Sequence, residues 1–132
     1  MPNLANMTVK KNDGTTDIVW TGVVPSAGDK TPAVWKSQTV GTADSQRPEL
    51  KLSSRDNGPA TARRLDGTFT YPTLATGSDG KVNVVDRMII NISAVKPKAM
   101  IDADVNEAVS QAMNLFGSTL IKDSFKQGYA PT

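Results

Sequence analysis

A change of hydrophobic period near Pro97 constrains this chain more than any other feature. Before it, apolar residues recur at every second position; beyond it, they recur at every third and fourth. Period two sends alternate side chains to opposite faces of a strand, whereas three-four spacing lines one stripe of a helix. Met7 to Lys11 and Asp17 to Val24 flank Asn12-Asp13-Gly14-Thr15, an Asp-Gly hairpin turn. Pro32 to Val40 reads as a short strand, and Gly41 to Gln46 is turn-rich. From Pro48, Leu50 and Leu52 alternate with Glu49, Lys51, Ser53 and Arg55. Asp56-Asn57-Gly58-Pro59 predicts a tight turn. The returning strand is expected to end near Tyr71, with Leu65, Phe69 and Tyr71 on one face and Asp66, Thr68 and Thr70 on the other. Gly67 within it predicts a bulge or a close backbone approach. Pro72 to Lys81 is expected to be an exposed loop, and the longest strand runs from Val82 to Val95.

After Pro97, Val105, Ala108, Val109, Ala112, Met113 and Phe116 predict an amphipathic helix. Asp104 with Glu107 resembles a capping box, Asp102 adds negative charge at the helix start, and Gly117 ends it. Leu120, Ile121 and Phe125 predict a second, shorter helix. The order is α+β: a hairpin and antiparallel meander over residues 1–98, then two helices over 102–127, in one domain. The sheet face carrying Leu50, Leu52, Phe69, Met88, Ile90 and Ile92 needs a cover. The helices present a matching stripe, to their own sheet or to a neighbour's. With 38% hydrophobic and 5% aromatic residues the core is lean, which points to stability shared between subunits.

Catalytic means are few. The chain has neither Cys nor His, which excludes disulfides, thiolate or imidazole metal sites and Ser-His or Cys-His relays. Asp102 and Asp104 belong to a helix start, and Ser53-Ser54 with Lys51 is an ordinary strand pattern, so no enzyme, metal, cofactor or small-molecule substrate is expected. No apolar run reaches the ~20 residues that span a bilayer, so no membrane association is expected. The start, Met-Pro-Asn-Leu-Ala-Asn-Met, lacks the regions of a signal peptide.

Charge is uneven. Residues 47–98 hold nine cations against five anions, while residues 99–132 hold two against four. A basic segment of this kind suits a polyanion. On the polar sheet face Lys51, Ser53, Arg55, Thr68, Arg87, Asn91 and Ser93 stand together, with Arg63 or Arg64 nearby. Their cations suit phosphates, and their hydroxyls and amide suit base edges. The solvated face of any meander shows a similar alternation.

The order of elements resembles the coat proteins of single-stranded RNA bacteriophages of the levivirus type, over essentially the whole chain. The likeness is carried by Glu49-Leu50-Lys51-Leu52-Ser53-Ser54-Arg55, by Tyr71-Pro72 with Ala75-Thr76, and by Ile90-Asn91-Ile92-Ser93 running to the helix at Asp104. It implies a homodimer with a continuous sheet, clasped by the partner's helices through Val105, Val109, Met113 and Phe116. It implies an icosahedral shell assembled in a bacterial cytoplasm, a virion location and a single-stranded RNA genome against the polar face. The resemblance matches Ser53, Arg55 and Asn91 to its RNA face, and together with the polar face read above the expected RNA-binding residues are Lys51, Ser53, Arg55, Arg64, Thr68, Arg87, Asn91 and Ser93. Loop residues Thr73, Thr76, Gly77, Asp79 and Gly80 are implied at the symmetry axes.

The family also grips an RNA hairpin as a translational repressor, and here the chain departs from the pattern. Two threonines, one of them used for adenine recognition, are replaced by Lys51 and Asp66, a lysine by Thr68, and the stacking tyrosine by Ile89. Losing that ring removes roughly 1–3 kcal/mol per base. Packaging by general electrostatics is therefore the firmer expectation. The alternatives are a single-stranded nucleic-acid-binding module that forms no shell, or another phage structural protein; the shortage of exposed rings speaks against the first of these.

Overall fold

A computed structural model describes residues 2–38 and 43–132. The chain divides into two compact units, Met1–Val95 and Lys96–Thr132.

The chain forms a six-stranded sheet in sequential order, all but the last two residues of which lie in the first unit: β1 (Met7–Lys10), β2 (Asp17–Val24), β3 (Ala33–Lys36), β4 (Glu49–Asp56), β5 (Ala62–Thr76) and β6 (Val82–Pro97). In the first hairpin Met7 pairs with Trp20 and Lys10 with Asp17. Its turn is organised by Asp13, whose carboxylate accepts the backbone N–H groups of Thr15 and Thr16 and the Thr16 hydroxyl. Gly14, at φ +74°, takes the left-handed position that the Asp-Gly pair supplies. The strand expected over Pro32 to Val40 is shorter, ending at Lys36; the buried Ser37 gives its N–H to Pro48 O at 3.1 Å. Positions 39–40 of that strand and 41–42 of the following turn-rich stretch lie outside the described residues. Asp44–Gln46 forms one 3-10 turn.

The β4–β5 ladder places Leu50 opposite Phe69 and Leu52 opposite Gly67 on one face. Trp20 joins them, its ring 5.6 Å from that of Phe69, and Tyr71 extends the row at 6.4 Å. Gly67 is no bulge: it is buried in regular pairing, and a Cβ there would come within 3.2 Å of Leu52 Cδ1. The turn into β5 is held by Asn57, whose Oδ1 accepts the N–H groups of Thr61 at 2.8 Å and Ala62 at 3.1 Å.

The strand expected to stop near Tyr71 continues to Thr76, so Thr73 and Thr76 are strand residues and the loop shrinks to Gly77–Lys81. The pairing with β4 ends at Glu49–Thr70. Pro72 therefore falls where β5 has lost one neighbour, and a missing N–H there breaks no ladder bond to β4. Within the loop Gly77 N–H donates to Lys81 O at 2.8 Å, and Asp79 Oδ1 accepts from Lys81 N–H at 3.0 Å.

The second unit comprises α1 (Asp102–Phe116) and α2 (Thr119–Gln127). The expected Asp104–Glu107 capping box does not form. Ile101 occupies the cap in extended conformation, and Asp102 and Asp104 both lie in the first turn, where their negative charge complements the positive end of the helix dipole. Gly128, at φ +79°, ends α2 in the left-handed conformation. Neither helix buries a residue: Val105 is half-buried, while Val109, Met113 and Phe116 are 52%, 59% and 53% exposed.

Candidate nucleic-acid interface

Three neighbouring strands bring the expected RNA-facing residues to one sheet face. Lys51, Ser53 and Arg55 alternate along β4, and the register sets them opposite Thr68, Asp66 and Arg64 of β5. From β6, Asn91 Oδ1 accepts the Thr68 hydroxyl at 3.2 Å, and Ser93 Oγ accepts from Arg64 Nη2 at 3.5 Å. Within each strand the named residues share one parity, odd in β4 and β6 and even in β5, so period two puts them on one face and the register between strands brings them together.

Asp66 stands at the centre of this group. Its Oδ1 accepts the Ser93 hydroxyl at 2.9 Å, and its Oδ2 lies 3.4 Å from Arg55 Nε. The Ser93 hydrogen bond and then the Arg55 contact hold its carboxyl below the usual carboxylate range, against an opposing effect of burial. Arg55 and Arg64 are direct cross-strand partners, a like-charge pairing that costs stability unless offset. Arg64 makes no ion pair among the described residues, and its Nε is buried without a hydrogen-bond partner.

Toward the other end of the face Arg87 shares a cleft of about 310 Å³ with Arg47, Glu49, Thr70 and Ile89. Glu49 lies 3.2 Å from Lys51 and 3.3 Å from Lys36, which also meets Asp44 at 2.8 Å. The Asp44 bond, then Glu49, raises the Lys36 pKa against an opposing effect of burial. Much of the positive charge is thus already balanced, and Arg87 has no ion pair among the described residues. Lys36 and Arg47 were not foreseen: β3 is too short for its alternation to show, and Arg47 precedes its strand. Phe69 and Tyr71 lie on the opposite face, as their parity requires, while Ile89 puts an exposed aliphatic side chain among the polar groups.

The remaining expected residues lie elsewhere. Gly77, Asp79 and Gly80 form the β5–β6 turn, while Thr73 and Thr76 belong to β5 itself. Val105, Val109, Met113 and Phe116 share one stripe of α1 in the second unit. No group of three or more acidic side chains is placed to hold a metal ion among the described residues, and no helix is long and apolar enough to cross a membrane.

No family model and no curated protein matches the sequence. Solved structures do. The chain is similar to the virus-like particle of Beihai levi-like virus 21, at 14% identity and a TM-score of 0.81 over 99% of both chains. The virus-like particle of bacteriophage NT-214 matches at 14% identity and 0.80 over 98% of each chain. The bacteriophage GA protein capsid matches at 19% identity and 0.75 over 95% of each. The chain has the coat-protein fold of these levivirus-like phages along nearly its whole length.

Proposed function

We propose that this chain is a phage coat protein that pairs with a second copy, builds a closed shell and encloses single-stranded RNA against its polar sheet face. One observation carries the reading: a fold shared end to end with shell-forming proteins leaves its apolar helix stripe and β6 face exposed in the single chain. Met88 and Ile92 on β6 are 47% and 44% exposed, and Val109, Met113 and Phe116 of α1 more so. Apolar surface of that kind marks an association site. A second copy of the chain can cover each of these surfaces in a symmetric pair.

RNA is the partner that suits the other face. Arg87, Arg64 and Lys51 provide cationic contacts for phosphates, and Thr68, Asn91 and Ser93 provide hydrogen-bonding groups for bases. The shell then forms in the bacterial cytoplasm around the genome and becomes the virion. The departures at Lys51, Asp66, Thr68 and Ile89 favour packaging by charge over repression through the family's hairpin.

The deciding experiment is expression in bacteria followed by size-exclusion chromatography, negative-stain microscopy and nuclease digestion. Uniform particles that protect RNA are expected. A protein that stays monomeric or dimeric under all conditions overturns the shell and favours a small nucleic-acid-binding module. Uniform particles devoid of RNA overturn the packaging role alone.

A further inference from the structure

We propose that Asp66, with Arg55, Arg64 and Ser93 around it, takes an unpaired guanine of the bound RNA. This inference rests on the RNA-interface reading above and names the base that one part of that interface selects. A carboxylate is the least suitable group for a surface that meets only phosphates, yet Asp66 occupies the middle of the face, between two arginines. Its side chain is 38% exposed. An ionised carboxylate accepts about four hydrogen bonds. Two are taken, by Ser93 at 2.9 Å and weakly by Arg55 at 3.4 Å, so each oxygen keeps capacity for another donor.

Two oxygens side by side match two adjacent donors. Among the four RNA bases, guanine alone presents such a pair, N1–H beside the N2 amino group, with O6 next to them as an acceptor. Adenine and cytosine would set a ring-nitrogen lone pair against the carboxylate, and uracil would set a carbonyl there. The guanidinium groups of Arg64 and Arg55 flank the same carboxylate and supply donors for O6; Arg64 makes no ion pair among the described residues. Carboxylate and guanidinium together thus form the complement of one base edge. If Asp66 served only to offset the Arg55–Arg64 pairing, replacing it would change stability and leave base preference alone.

The test is fluorescence anisotropy with short uridine-rich oligonucleotides that carry one central guanosine, inosine or adenosine, titrated with the full chain at several salt concentrations. The guanosine oligonucleotide is expected to bind about tenfold tighter than the adenosine one, with inosine, which lacks the N2 amino group, in between. Asp66→Ser and Asp66→Asn should shrink the guanosine preference to about twofold or less. Should both variants fail to fold, the guanosine–inosine comparison on the unaltered chain decides alone. Equal, salt-dependent binding of all three oligonucleotides overturns the guanine inference and leaves the RNA interface standing. Absence of salt-dependent binding to any of them overturns the interface reading as well.

Discussion

Gly22 lies beneath the side chain of Leu4: a Cβ at this position would stand 2.8 Å from Leu4 Cγ. The segment before β1 is fixed there by two further contacts. Asn6 Oδ1 accepts Gly22 N–H at 3.0 Å, and Trp35 Nε1 donates to Ala5 O at 2.9 Å. Overpacking at such a contact costs about 1–3 kcal/mol, partly offset by the lower chain entropy of alanine. Gly22→Ala is therefore expected to destabilise by about 1 kcal/mol in urea denaturation, and the cost should vanish in a Leu4→Ala background. Asp13 predicts a pH effect. The Thr16 hydroxyl, then the N–H groups of Thr16 and Thr15, lower its pKa from 3.8 to about 2. A depressed folded-state value means that the turn's contribution is complete above 3.8 and is lost as pH falls through about 2. NMR titration of the Asp13 carboxyl checks the midpoint, and Asp13→Asn should remove this acid dependence. On the polar face, Lys51 and Arg55 already face carboxylates whereas Arg87 has no ion pair among the described residues. Alanine at all three should lower the RNA content of particles, read as their ultraviolet absorbance ratio, with the dimer intact. Arg87→Ala alone should weaken RNA binding more than Lys51→Ala, with the salt slope falling by about 0.7 per lost phosphate contact.

Among the elements, α1 offers the sharpest test of association. Its stripe of Val105, Val109, Met113 and Phe116 follows helical spacing, and three of the four are more than half exposed. Val109→Asp with Met113→Asp should weaken dimerisation by about 100-fold in sedimentation experiments, since interface centres tolerate unpaired charge poorly. Removal of residues 102–132 should leave an insoluble or unfolded fragment; a soluble fragment 1–101 with a cooperative unfolding transition would contradict the clasp. Periodicity made these elements legible. The bounds of β2 follow from the Asp13-Gly14 turn before it and the loop at Pro25 after it, and the handover from strand to helix follows from Val105–Phe116 repeating at three and four. The length of β5 was not legible, because Pro72 to Gly80 has loop composition and the strand character of Pro72 to Thr76 comes from β6 beside it across the Gly77–Lys81 turn. The helix start was missed for a local reason: Asp102 and Asp104 suit a first turn as well as a cap. Of the interface, the shared face of Lys51, Ser53, Arg55, Asn91 and Ser93 was readable from parity. The tie between Asp66 and Ser93 was not, since it depends on a register between strands 27 residues apart.

For the whole molecule, Trp20 and Ala62 are the buried hydrophobic residues among those described, alongside a tightly enclosed Ser37 and Pro48. A single copy therefore has little core of its own, and the surfaces awaiting burial are those proposed to meet another copy. Folding and association then become one equilibrium, and the thermal midpoint should rise with protein concentration. Scanning calorimetry across about a hundredfold dilution range checks this, and a midpoint independent of concentration contradicts it. The exposed α1 stripe also has a meaning for the life of the chain in a cell. Under the proposed assembly, a newly made copy without neighbours would be open to proteases, whereas a copy that finds others would be withdrawn from them. Abundance would then rise more steeply than synthesis, so that sparse production leaves little protein standing and heavy production leaves nearly all of it assembled.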